Sequence, residues 1–136
     1  MVEMTITYEG DLHCKVQHDP SGVVVSTDAP VDNQGRGESF SPTDLLAASL
    51  AACMATTMGI AAAKNEWVLA GTRVVVKKEM TADPLRRVGR LIVDIFLNAP
   101  FDDKEMKVLT NAVTTCPVKL SISDRVLVPV TFHQPA

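Results

Sequence analysis

The stretch that decides the fold runs from Ser41 to Lys64, SPTDLLAASLAACMATTMGIAAAK. Ser41 suits an N-cap, Pro42 suits the first helical position, where its missing N–H is not needed, and Asp44 complements the positive helix start. From Leu45 to Ala63 there are 19 residues with no charge, no proline and one glycine, dominated by alanine, the best helix former. This predicts one long helix. A helix apolar on every side has no solvent face, so it is expected at the centre of the molecule.

At the i, i+4 spacing that stacks side chains one above another, the helix carries three informative rows. Ala47, Ala51, Ala55, Gly59 and Ala63 form a small ridge that lets another backbone come close. Leu46, Leu50, Met54 and Met58 form a bulky ridge that fills a core. The third row, Leu45, Ser49, Cys53 and Thr57, sets one thiol between two hydroxyls on an otherwise greasy cylinder and is the first candidate for chemistry. The run reaches the length of a membrane span. Its Ala, Ser, Thr and Gly content, without a flanking basic cluster, favours a buried soluble helix over a bilayer one.

Working outward on the N-terminal side, residues 1–8, 12–17 and 23–27 read as short strands separated by the turns Glu9-Gly10-Asp11 and His18-Asp19-Pro20-Ser21-Gly22, an antiparallel meander. Residues 28–40, DAPVDNQGRGESF, form a loop by composition and carry Arg36 and Glu38 into the helix. On the C-terminal side, 72–80 and 88–97 read as a hairpin whose Lys77, Lys78, Arg86, Arg87 and Arg90 protect a sheet edge rather than bind an anion. Residues 102–114 have helical periodicity, with acidic residues in the first turn. In Thr115-Cys116-Pro117-Val118-Lys119 a thiol precedes a proline suited to open a short helix, a helix start that lowers a thiol pKa and ranks Cys116 as the more acidic of Cys53 and Cys116. Val126 to Phe132 is a closing strand whose Pro129 argues for an edge or bulge.

With 136 residues the chain suits one domain, residues 1–136, able to bury a sizeable core. A net charge of −3 without basic runs or interleaved aromatics excludes a nucleic-acid footprint. The opening MVEMTITYEG lacks a basic n-region and an apolar h-region, so a cytoplasmic setting is expected. Three cysteines without C-x-x-C or zinc spacing argue against a disulfide framework or a structural metal. His13 and Cys14 would point to opposite strand faces, which disfavours a metal site with His18. No cofactor is expected.

The segment S-P-T-D-L-L-A-A-S-L-A-A-C-M at 41–54, followed 63 positions after Cys53 by the Cys116 of T-C-P-V-K at 115–119, resembles the OsmC/Ohr family, that is, osmotically inducible protein C and organic hydroperoxide resistance protein. The resemblance, with the meander before these motifs, covers nearly the whole chain. It implies an α+β fold, with antiparallel, strongly curved sheets around two long central helices, assembled as an intertwined homodimer with sites at the subunit interface. It also implies reduction of organic hydroperoxides, a part in oxidative-stress defence. In that chemistry Cys53 is the peroxidatic thiol, Cys116 the resolving thiol, and an external dithiol the reductant.

The sequence departs from the family's pattern in one respect. The peroxidases use an arginine from the N-terminal hairpin and a glutamate just after the helix-opening proline to hold the thiolate. Here Thr43 follows Pro42, and residues 3–27 contain no arginine. A thiol in an apolar site needs another cation, since burial raises its pKa. Arg36, oriented by Asp44 or Glu38, and His13 are the candidates, with Ser49 and Thr57 as supporting hydroxyls. The alternative reading is a non-catalytic homodimer that binds a small apolar ligand at its interface. A thiol hydrolase is weaker, because no base is fixed near Cys53. Taken alone, Cys53 also reads as a small buried hydrophobe, and Cys14, which matches no motif, as a core or edge residue.

Overall fold

The computed structural model describes all residues from Met1 to Ala136. The chain divides into two compact units, Met1–Leu46 and Ala47–Ala136.

The first unit is a three-stranded antiparallel sheet in the order β1 (Met4–Gly10), β2 (His13–His18) and β3 (Val24–Asp28). Gly10, at φ +85°, opens the β1–β2 turn, where a side chain would be strained, and Asp11 and Leu12 follow at positive φ. The Tyr8 hydroxyl accepts the Leu12 N–H across this turn. The sheet is thinly covered. Met4, Ile6 and Tyr8 of β1 and Val24 and Val25 of β3 are exposed, while Thr27 and Asp28 at the end of β3 are buried. After a short 3-10 turn at Val31–Asn33, Phe40 makes an isolated parallel bridge with Thr27 and accepts the Asp28 N–H.

Helix α1 (Pro42–Lys64) starts as its sequence dictates. Ser41 Oγ accepts the Asp44 N–H at 3.0 Å, and Asp44 Oδ2 accepts the Ser41 N–H at 2.9 Å, a reciprocal cap. By length and composition α1 is apolar enough to cross a membrane. Its bulky ridge is nevertheless covered by protein: Leu50, Met54 and Met58 are fully buried. The expectation of burial all round is corrected, because Ser49, Ala52, Thr56 and Ile60 form an exposed stripe. The small ridge is covered only at Ala47 and Ala51, and a Cβ built on Gly59 would meet nothing within 4 Å.

In the second unit, β4 (Arg73–Thr81) and β5 (Arg87–Phe96) pair antiparallel, and β6 (Val130–His133) joins the other side of β5. β5 is the central strand and alternates accordingly, with Leu91, Val93 and Ile95 fully buried and the residues between them half-buried. The β5–β6 pair is parallel, where the resemblance implied antiparallel sheets. That pairing needs a crossover, supplied by α2 (Asp103–Thr114) and α3 (Pro117–Ser121). Pro129 sits on the edge beside β6; its carbonyl accepts the Val93 N–H, and no ladder bond is asked of its nitrogen. Asp102 and Glu105 cap α2 reciprocally, and Leu109 and Val113 bury its apolar face. Arg90 spans β4 and β5 to grip Glu79 through two nitrogens, at 2.7 and 3.0 Å, so this basic residue belongs to cross-strand pairing.

Candidate functional site: two thiols between the helices

Cys53 and Cys116 come near each other within the second unit. Cys53 lies midway along α1 and is half-buried, and Cys116 is fully buried as the N-cap of α3; both are free thiols. The Cys53 thiol is near enough to Cys116 to raise the pKa of its thiol. Cys116 Sγ also accepts the Lys119 N–H at 3.3 Å, the bond of a side chain that caps a helix start.

This cap does not make Cys116 acidic. Burial pushes its thiol above the ordinary 9.0, the Cys53 thiol pushes the same way, and the N–H groups of Lys119 and Val118 oppose without prevailing. The lowering expected from the helix start is not found, because a single turn of helix offers two amides against full loss of solvent.

Thr57 stands one turn beyond Cys53. Its hydroxyl has three carbonyls in reach: Cys53 and Met54 of its own helix, each at 3.1 Å, and Ala112 of α2 at 3.0 Å. A groove of about 260 Å³ opens here, lined by Thr57, Ile60, Lys64, Val108, Ala112 and Thr115 among others. Ser49, one turn before Cys53, faces outward and is exposed.

The remaining candidates belong to the first unit. Arg36 reaches Asp11 at 3.3 Å on the surface. Asp44 is engaged at the helix cap, and Glu38 lines an exposed depression with Ser39, Phe40 and Asp44. His13 is held by carboxylates on both ring nitrogens: Nδ1 lies 2.6 Å from Asp28 Oδ1 and Nε2 lies 3.5 Å from Glu9. Asp28 therefore raises the His13 pKa above 6.5, chiefly through the hydrogen bond and then through charge, with Glu9 adding and desolvation and Arg36 opposing. Sequence reasoning missed Asp28, although the β2–β3 register sets it directly across from His13. It also missed the Thr57–Ala112 link, which no periodicity encodes. Cys14 is half-buried between Tyr8 and Thr27 on the neighbouring strands, an ordinary sheet position. No three His, Cys, Asp or Glu side chains are grouped to hold a metal ion.

Comparison with known proteins places this geometry in context. A family model described as OsmC-like protein matches residues 35–131, a span that contains both cysteines. A crystal structure from Psychrobacter arcticus 273-4, of a candidate osmotic stress induced and detoxification response protein, is 48% identical. It superposes with a TM-score of 0.93, covering 98% of this chain and 96% of that one. An organic hydroperoxide resistance protein from Elizabethkingia anophelis shares the fold at 16% identity and a TM-score of 0.80, with 99% and 96% covered. The organic hydroperoxide resistance protein OhrB of Bacillus subtilis does so at 17% identity and 0.72, with 98% of each chain covered. No curated protein matches the sequence.

Proposed function

The chain belongs to the OsmC-like protein family, and on that premise we propose that it is a thiol-dependent peroxidase that reduces organic hydroperoxides. The observation that carries this reading is the nearness of Cys53 to Cys116, two free thiols 63 positions apart, one of which raises the pKa of the other. The difference in burial supports a division of roles between them. Half-buried Cys53 is the thiol a peroxide reaches, whereas Cys116 is enclosed and its raised pKa keeps it a neutral thiol at rest.

The Cys53 thiolate attacks the terminal peroxide oxygen, the O–O bond breaks, and the alkoxide leaves and takes a proton to become the alcohol. Cys53 is then a sulfenic acid. Cys116 sulfur attacks the Cys53 sulfur, the S–O bond breaks, water leaves, and a disulfide forms. An external dithiol reopens it by exchange and leaves as its own disulfide. The apolar sequence of α1 on either side of Cys53, Leu50-Ala51-Ala52 and Met54-Ala55, is the reason to expect alkyl hydroperoxides to be preferred over hydrogen peroxide. The same reading makes the working form a cytoplasmic homodimer, consistent with the exposed apolar β1 and the uncovered stripe of α1.

The test is turnover of cumene hydroperoxide with dithiothreitol. The parent should consume the peroxide, Cys53→Ser should abolish consumption, and Cys116→Ser should leave a sulfenic acid at Cys53 that dimedone traps. Equal rates in the parent and Cys53→Ser would overturn the proposal. A second reading, a non-catalytic dimer that binds a small apolar ligand, draws on Thr43 in place of the peroxidases' glutamate and on the engagement of Arg36 by Asp11. It predicts no turnover, no trapping, and thermal protection by an apolar ligand.

A further inference from the structure

Thr57 occupies a position that the reaction scheme does not use. Its hydroxyl carries one hydrogen and has three carbonyl oxygens within 3.1 Å. Two of these, on Cys53 and Met54, lie inside α1, where regular i to i−4 bonding already supplies an amide donor. The third is different. Ala112 is in the last turn of α2, and its regular donor would be the Cys116 N–H. That amide goes instead to Val113 at 3.5 Å, as the chain turns out of α2 and enters α3. The Thr57 hydroxyl thus stands at the carbonyl that Cys116 gives up.

We propose that Thr57 is a positioning residue for the thiol pair, a bridge that fixes the end of α2, and with it Cys116, against the turn of α1 that carries Cys53. Thr57 acts through backbone on both sides: it stacks one turn from Cys53 and holds Ala112, four residues before Cys116. The bridge sets the effective concentration of one sulfur at the other. This governs the condensation step and the dithiol–disulfide equilibrium, not the first attack on peroxide. The inference rests on the reading of Cys53 and Cys116 as a redox pair.

The measurement is equilibration with dithiothreitol. The two protein thiols and oxidised dithiothreitol exchange for the protein disulfide and reduced dithiothreitol, two electrons and two protons moving together. Thr57→Val, which keeps the shape and removes the hydroxyl, should lower this equilibrium constant about five- to tenfold, the factor expected for one lost hydrogen bond. It should slow sulfenic acid condensation by a similar factor while the rate of sulfenic acid formation stays within about twofold. Thr57→Ser should restore both quantities. If Thr57→Val does not fold, Thr57→Ser against Thr57→Ala isolates the same hydroxyl. A parent-like equilibrium in Thr57→Val, or a Ser variant that behaves as Val or Ala does, overturns the positioning role alone. A lower melting temperature with an unchanged equilibrium assigns Thr57 to packing and also overturns it. A parent that forms no Cys53–Cys116 disulfide overturns the redox reading itself, and the positioning role with it.

Discussion

At Cys116 two local influences oppose each other on one sulfur atom. The start of α3 offers amides to a thiolate, and the interior withdraws the water that a thiolate needs. Burial wins, so the thiol ionises above 9.0. A group whose folded pKa is raised contributes stability that is fully present below its unfolded value and is lost as pH rises through the folded one. Unfolding free energy should therefore fall more steeply above pH 9 in the parent than in Cys116→Ala, measured by denaturant titration. In Cys53→Ser the Cys116 ionisation, followed by thiolate absorbance, should move down towards 9.0, since Cys53 is one of the causes that raise it. His13 obeys the same sign for a different cause. Asp28 and Glu9 favour its charged form, so its contribution is complete below pH 6.5 and declines above that. Nuclear magnetic resonance should find the imidazole titrating above 6.5. His13→Gln should remove the pH dependence of stability in that range, and a titration at or below 6.5 would contradict the clasp.

Among the elements, α1 was the most legible in the sequence. Its cap residues, its alanine content and its uninterrupted length each point to a helix, and the observed start at Pro42 follows from the Ser41–Asp44 exchange of hydrogen bonds. Ser41→Ala should cost about 1 kcal/mol in denaturant unfolding. Leu50→Ala, at a fully buried position on the bulky ridge, should cost about 3 kcal/mol. The strands were legible to within a few residues, because alternation reports which face is covered. Alternation does not report pairing direction, and the parallel β5–β6 pair was therefore invisible to it. The nearness of the two cysteines was not readable from any local period either. It came from resemblance, since nearness across 63 positions depends on how α1, α2 and α3 meet.

For the molecule as a whole, the exposed apolar side chains are the dominant fact. Met4, Ile6, Tyr8, Val24 and Val25 lie open on a sheet of three short strands, which ordinarily needs a covered hydrophobic face to be stable. An assembly of two chains is the expected remedy. Sedimentation equilibrium should report twice the 14.7 kDa chain mass, and Ile6→Lys should shift the population towards single chains. A chain that remains single at micromolar concentration with its far-ultraviolet spectrum intact would argue against that arrangement.

The vacant surround of Gly59 turns one methyl group into a probe of that assembly. In a lone chain, Gly59→Ala gains helix propensity and meets no obstacle, so it should stabilise by about 1 kcal/mol. Where a second chain lies against the small ridge, the same methyl is an intruder, and the penalty should grow with protein concentration. Dilution series of the two proteins, compared by melting temperature, should therefore cross: the alanine form the hardier when dilute, the glycine form the hardier when concentrated.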